Sequence, residues 1–265
     1  IIRINKEQIK KIVWTSNDVG HKIKVLKSFS DNEEGKIIAN NIFEKAQNDK
    51  VSYLNFAILY RTNAQSRSFE EALRKLNLPY KIYGGLSFYQ RKEIKDLISY
   101  FRLSANLNDE ESLKRIINYP KRGIGQTTIN KAITCANEKG VSLWEVICEP
   151  EKFGFIVNAG TRNKIDLFSS SIKSYNSRID KINGYELALE IAKNTGLLRD
   201  LSSDRTPEGI VRFENIQELL NGIQEFTKEN EESNLTSLSD FLIDVALLTD
   251  ADNDKKEDKN KVSLM

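Results

Sequence analysis

The sequence predicts an α/β domain with a parallel sheet into which an all-helical block is inserted. Three observations predict this fold class. Residues 20–83 alternate between strand-like and helix-like apolar patterns, an order typical of parallel sheets. From about residue 106 onward the patterns are helical alone, and residues 262–265 return to the alternation of a strand.

The first part of the chain contains the strand-like patterns. Residues 23–28 are predicted as a strand, and Ser30 followed by Glu33 predicts the capped start of a helix. The continuous apolar run 56–60 predicts a strand buried in a parallel sheet. A second helix and a short strand at residues 80–83 complete a strand–helix–strand–helix–strand order.

The second part of the chain places its apolar residues at helical spacing alone. Thr206 and Pro207 form a typical helix start, and Gly140 forms a typical helix end. Helices are predicted near residues 94–101, 108–117, 126–139, 142–148, 161–182, 185–194, 207–229 and 237–248.

The change in pattern also predicts the domain organisation. Residues 1–105 are predicted as part of an α/β domain, residues 106–255 as a helical subdomain and residues 256–265 as a strand returning to the first domain. The chain has no initiating Met and stops in a strand-like run. Both ends are therefore predicted to be cuts through a longer protein.

The composition excludes several classes of function. Lys and Arg number 40 against 38 Asp and Glu, a net charge of +2, so any nucleic-acid contact must come from local basic patches. Two cysteines and one histidine are too few for a structural zinc site, and no metal site is predicted. No apolar run reaches the roughly 18 residues of a membrane helix, and a cytoplasmic protein without membrane contact is predicted.

The usual phosphate-binding motifs do not occur in the sequence. There is no G-x-x-x-x-G-K-[ST] run, and no apolar strand ends in paired acidic residues. These motifs cradle a triphosphate and its Mg²⁺ in P-loop enzymes. The chain by itself is therefore predicted to bind no cofactor and to hydrolyse no ATP.

Tyr60 ends the predicted strand at 56–60, and Arg61 follows it directly. Ligands gather at the carboxyl ends of strands in open α/β sheets, where an aromatic ring can stack on a base and an arginine can reach a phosphate. The alternative is that Tyr60 packs at a domain edge and Arg61 pairs with a surface carboxylate.

The order of several motifs resembles the UvrD/Rep/PcrA helicases of superfamily 1. Residues 58–67, Ile-Leu-Tyr-Arg-Thr-Asn-Ala-Gln-Ser-Arg, resemble motif IV of that family. Further similar blocks, in order, are 83–96 (motif IVa), 119–125 (the Gly-Ile-Gly element), 212–219 and 238–242 (closing helices of the accessory subdomain) and 262–265 (the strand before motif V).

The resemblance implies part of a 3′-to-5′ ATP-dependent DNA helicase of DNA repair or replication. In that family ATP and Mg²⁺ lie between two RecA-like, P-loop NTPase-like motor domains. This chain would supply part of the second motor domain (2A) and the inserted helical subdomain (2B), with the first motor domain as its missing partner. By the motif match, Tyr60 would stack on adenine and Arg61 would contact the γ-phosphate, so Arg61→Ala is expected to abolish ATP hydrolysis and leave the fold intact.

The Gly-Ile-Gly element is predicted to contact duplex DNA. Gly123 and Gly125 would adopt positive φ in a tight turn, and the helix that follows would offer its N-terminus to phosphates. Such contacts recognise the DNA backbone rather than the bases. The alternative is an ordinary corner between two helices. The predicted DNA-binding residues are Lys121, Arg122, Gly123, Ile124, Gly125, Gln126, Thr127 and Thr128.

In the run similar to motif IVa, Arg91 or Lys95 is predicted to touch single-stranded DNA. For Glu93 and Asp96, capping of the helix and local pairing are the alternative to a functional role. The predicted partners are thus duplex and single-stranded DNA junctions, with repair or replication proteins. Two other functions remain open: a helical module that docks protein partners, and a helicase subunit associated with a nuclease in recombination.

Overall fold

The computed structural model describes residues 14–16, 18–20, 22–250 and 260–265, with the backbone alone for residues 247–250. The described chain is mostly helical and contains a three-stranded parallel sheet. This confirms the coarse prediction of an α/β part joined to a helical part. The RecA-like identity of the α/β part stays a prediction. Residues 251–259, which include the first part of the return segment predicted at 256–265, lie outside the described residues.

The sheet joins the two ends of the described chain. Its strands are β1 (Ala57–Ile58), β2 (Tyr80–Ile82) and β3 (Val262–Leu264), and β3 lies in the centre, parallel to both neighbours. Ser263 is in register with Ala57 on one side and with Lys81 on the other. The strand-like pattern at residues 262–265 is therefore confirmed as a strand, and the helices of the second part of the chain lie between β2 and β3 in the sequence, while the predicted domain organisation stays a prediction.

Two helices cover the sheet and form the smaller of two apolar cores. They are α1 (Asp31–Asn48), which Ser30 caps by accepting from the Glu33 N–H as predicted, and α2 (Ser66–Lys75). The buried members of this sheet core are Ala39, Ile42, Ile58, Phe69, Ala72, Leu73, Leu78, Val262 and Leu264.

The prediction of a strand at residues 23–28 is wrong. These residues have no regular secondary structure, and Ile23 and Val25 are 90% and 84% exposed. Within this segment, Lys24 and Leu26 line a cavity of about 770 Å³ together with Ala57 and Ile58 of β1 and do not pair with that strand. Without a neighbouring strand to pair with, the backbone N–H and C=O groups of such a segment are left to water.

The predicted helices of the second part are present, but the helix predicted at 161–182 already ends at Asn176, and the short helices Pro150–Phe153 and Leu197–Ser203 were not predicted. Thr206 accepts from the Gly209 N–H at 3.1 Å, and Gly140 ends its helix at φ +63. Among the described residues no helix has both the length and the apolar character needed to cross a membrane. The helices are α3 (Lys92–Ala105), α4 (Glu110–Ile116), α5 (Gln126–Lys139), α6 (Leu143–Cys148), α7 (Pro150–Phe153), α8 (Ala159–Asn176), α9 (Gly184–Asn194), α10 (Leu197–Ser203), α11 (Pro207–Glu229) and α12 (Leu238–Asp250).

The larger apolar core runs continuously from Phe88 to Val245, and we call α3–α12 with this core the helical block. Helix α3 belongs to it, since Leu97 and Phe101 are fully buried there. The predicted boundary at residues 105 and 106 follows the loss of strands and stays a prediction. Apolar packing, by contrast, changes from one core to the other between Ile82 and Phe88.

Candidate phosphate-contact sites

Arg61 lies at the carboxyl edge of the sheet, three residues after the end of β1, and its side chain is exposed. Its guanidinium forms no ion pair with any carboxylate of the described residues, so the alternative of a surface pair is not observed there. The backbone at this point is fixed: the N–H groups of Arg61 and Thr62 donate to Gln65 Oε1 at 2.9 and 3.0 Å. An exposed cation on a fixed turn is suited to contact an anion.

Tyr60 is half-buried rather than freely exposed. Its ring stacks on Phe69 with 6.3 Å between centroids and 19° between planes. Burial, with help from Glu70 and against the effect of Arg91, raises the pKa of the Tyr60 hydroxyl. One face of the Tyr60 ring therefore packs inside the protein, as the alternative predicted. Stacking of adenine on Tyr60 stays a prediction, and it concerns the other face of the ring.

The helix after Arg61 is attached to the helical block through a buried arginine. Arg67 on α2 is 2% exposed and donates to Glu218 at 2.7 Å, to Glu71 at 3.1 Å and to Glu225 at 3.3 Å. Burial disfavours its charge, but the carboxylates outweigh this and raise the pKa of Arg67. Gly222 on α11 makes room for the guanidinium, because a Cβ there would lie 2.7 Å from Nη1.

A buried carboxylate makes a second link between the two cores. Glu70 on α2 accepts from Ser87 Oγ at 2.7 Å, from the Phe88 N–H at 3.1 Å and from Ser66 Oγ at 2.8 Å. Burial raises the pKa of Glu70, and the two serine hydroxyls oppose that rise. The segment that enters the helical block is thus tied to the helix that follows Arg61.

Arg91 points inward to the same junction. Its guanidinium donates to the carbonyl of Asn63 at 3.0 Å, to Asn215 Oδ1 at 2.8 Å and to Ser66 Oγ at 2.8 Å. The predicted contact of Arg91 with single-stranded DNA stays a prediction, and its Nη1 and Nη2 atoms already donate inside the protein. Glu93 accepts from Asn215 at 2.6 Å, a partner on a distant part of the chain, so the structure does not show the predicted local pairing of Glu93.

The Gly-Ile-Gly element forms an exposed turn whose backbone is fixed by the side chain of Asn118. Asn118 Oδ1 accepts from the N–H groups of Arg122 and Ile124, both at 3.0 Å. Gly123 has φ +75, as predicted, but Gly125 has φ −71, so the prediction of positive φ is wrong for Gly125. The turn needs only one left-handed residue, because Gly125 already starts α5 in extended conformation.

Two of the predicted DNA-binding side chains are used inside the protein. Arg122 donates to the carbonyls of Ile116, Tyr119 and Pro120, and its guanidinium lies 5.2 Å from the ring centre of Phe168. The side chain of Ile124 is fully buried. Their predicted contact with DNA stays untested, but both side chains are placed to build the turn rather than to reach a ligand.

The remaining predicted residues face solvent together. Lys121, Gly125, Gln126 and Thr127 are exposed, and Thr128 is partly so. No side chain caps α5, and the N–H groups of Gln126 and Thr127 have no acceptor among the described residues, whereas that of Thr128 donates to the Gly125 carbonyl at 2.9 Å. Such a helix end attracts phosphate oxygens.

Sequence reasoning missed one cation at this turn. Lys164 on α8 is exposed, and its Nζ lies so close to Gly123 that a Cβ there would be 2.8 Å away. Nothing local in the sequence connects α8 with the Gly-Ile-Gly run, so only the packed fold reveals this neighbour. We call Lys121, Lys164 and residues 123–128 the glycine-turn site.

Comparison with known proteins identifies the family. The family model of the UvrD-like helicase C-terminal domain matches residues 1–265. The chain belongs to this family. It is 37% identical to the ATP-dependent DNA helicase PcrA of Bacillus subtilis and to that of Staphylococcus aureus, and 35% identical to that of Staphylococcus epidermidis. Each similarity covers 100% of this chain and 36% of the relative.

Membership of the UvrD-like family confirms the resemblance read from the motifs. The chain spans about a third of the length of these relatives, 36%, so the activity of a whole protein is a matter for proposal. Within the described residues of this UvrD-like domain, no group of three or more His, Cys, Asp or Glu side chains could hold a metal ion.

Proposed function

We propose that this chain is part of a 3′-to-5′ ATP-dependent DNA helicase of DNA repair or replication in the bacterial cytoplasm, in which it holds duplex DNA. The glycine-turn site carries the proposal, since two exposed lysines flank a helix N-terminus with free N–H groups. Its relatives are named as ATP-dependent DNA helicases. The sheet would form part of a RecA-like motor domain, and ATP with Mg²⁺ would bind in the full-length protein together with the first motor domain.

The chemistry of the glycine-turn site suits the DNA backbone. Main-chain N–H groups and lysine ammonium groups recognise phosphate oxygens and carry no information about base sequence. A helicase that moves along one strand meets the duplex ahead of the point at which the strands separate. Contacts to the phosphate backbone can hold this duplex whatever its sequence. Binding should weaken steeply with salt, because each neutralised phosphate releases counterions.

Lys164→Ala is expected to weaken binding of tail-free duplex DNA by the full-length protein and to lower the salt slope by about one phosphate contact. Fluorescence anisotropy at several salt concentrations measures both quantities. Lys139→Ala is the matched control, because it removes the same charge from an exposed lysine at the opposite end of α5. Equal losses in the two variants would count against the glycine-turn site.

Arg61 is proposed to contact a phosphate group. The family resemblance assigns it to the γ-phosphate of ATP, and the exposed guanidinium at the carboxyl edge of the sheet supports a phosphate contact there. A backbone phosphate of single-stranded DNA has the same chemistry. The experiment therefore needs one measurement for each source.

Arg61→Ala in the full-length protein is expected to lower DNA-stimulated ATP turnover on the order of a thousandfold, the scale of losing an arginine that stabilises phosphoryl transfer. Loss of hydrolysis without DNA assigns Arg61 to the nucleotide. Intact basal hydrolysis with weaker binding of single-stranded DNA assigns it to the strand. The control Arg205→Ala, at an exposed arginine of the helical block, should leave ATP hydrolysis and binding of single-stranded DNA unchanged. The same result for Arg61→Ala would contradict the proposed phosphate contact.

A further inference from the structure

The turn that carries Arg61 is closed on itself by one side chain. Gln65 Oε1 accepts from the N–H groups of Arg61 and Thr62, and residues Asn63–Gln65 form one turn of 3-10 helix. The orientation of the Arg61 backbone therefore depends on where this small unit is held. We call residues 61–66 the Arg61 turn.

Arg91 holds the Arg61 turn from outside. It donates to the Asn63 carbonyl and to Ser66 Oγ, so it grips the turn at two points. It forms no ion pair with a carboxylate of the described residues, although burial lowers its pKa. The guanidinium of Arg91 is half-buried and donates to neutral acceptors. Its planar geometry orients these acceptors in a way that a lysine ammonium could not.

Asn215 fixes the position of Arg91. It is 2% exposed on α11, accepts from Arg91 through Oδ1 and donates to Glu93 through Nδ2. Both ends of its amide are therefore used, which leaves a single orientation. The chain of contacts runs from α11 through Asn215 and Arg91 to the Arg61 turn, and it crosses from one apolar core to the other.

We infer that Arg91 and Asn215 are positioning residues, which set the orientation of Arg61 from the helical block. The inference rests on the proposed phosphate contact of Arg61. A displacement of α11 relative to α2 would pull on the Asn63 carbonyl and move the Arg61 turn with it. The part of the protein that holds duplex DNA is thereby coupled to the residue that contacts phosphate at the sheet.

A double-mutant cycle in the full-length protein tests the coupling. Arg91→Lys keeps the charge but loses the fork, and it is expected to lower DNA-stimulated ATP turnover about tenfold, since small misplacements of a contact group are costly. In the Arg61→Ala background the same change should cause no further loss. Arg178→Lys is the control, because it removes a bidentate contact, from Arg178 to Glu190, at the surface of the helical block.

Hydrogen exchange at the amides of Arg61 and Thr62 gives a readout that does not depend on activity. It should be faster in Arg91→Lys and Asn215→Ala than in Arg178→Lys. Unchanged exchange, or an equal loss of turnover with and without Arg61, overturns the inference. If Arg61→Ala alone has no effect on turnover or DNA affinity, the proposed role of Arg61 fails, whereas the exchange rates still decide whether Arg91 holds the turn.

Discussion

Replacing Arg67 with alanine is expected to lower the free energy of unfolding by about 3–5 kcal/mol, the scale of removing one partner of a buried ion pair. Glu218 is already a poorly solvated carboxylate: burial raises its pKa, and Arg67 is the main opposing influence. Without the guanidinium, Glu71, Glu218 and Glu225 would face an empty site as like charges. Chemical denaturation followed by tryptophan fluorescence measures the loss.

An exposed ion pair between the same two parts of the chain is the control for Arg67. Lys36 pairs with Glu229 at 2.8 Å, and their side chains are 50% and 44% exposed. Lys36→Ala should cost no more than about 1 kcal/mol, as exposed pairs do. If the two alanine variants lost similar stability, burial would not be what makes the Arg67 cluster important.

Arg122→Ala is expected to destabilise the protein by about 1.5–3 kcal/mol, the scale of a hydrogen bond to a charged group. The guanidinium satisfies the carbonyls of Ile116, Tyr119 and Pro120 beneath the Gly-Ile-Gly turn. Its effect on duplex affinity should follow from the loosened turn. Denaturation and duplex titration of the same samples separate the two effects.

Lys121→Ala provides the comparison for Arg122→Ala. The lysine is exposed next to the arginine in sequence, so its removal should leave the stability unchanged and lower the salt slope of duplex binding by about one contact. An Arg122→Ala variant of normal stability with the same reduced slope would show that Arg122 contacts phosphate directly.

Local signals in the sequence were sufficient for most of the helices. A cap such as Thr206 before Pro207, or a glycine such as Gly140 at a helix end, acts within a few residues and needs no tertiary information. The continuous apolar run of β1 and the alternation at Val262–Leu264 were likewise enough to predict strands. The alternation at residues 23–28 was not, because a strand also needs a neighbour whose ladder it joins.

The direction of long side chains was beyond sequence reasoning. Arg91 and Arg122 were predicted as DNA contacts because they are cations beside recognisable motifs. Their partners, such as Asn215 for Arg91, are distant in sequence or are backbone carbonyls. Lys164 escaped notice for the opposite reason, since it reaches the Gly-Ile-Gly turn from another helix. The sequence thus indicated where the candidate sites lie, but packing decides which cations face solvent.

The central place of β3 sets an order of events during synthesis. Among the residues that the structure describes, β1 and β2 each pair with β3 and not with each other, so neither has a ladder partner there until Val262–Leu264 emerges from the ribosome. The core of the helical block is complete at Val245 and can condense earlier. During synthesis the helical block is then expected to fold while β1 and β2 are still unpaired. The open edges of these two strands are where a chaperone would protect the nascent chain from aggregation.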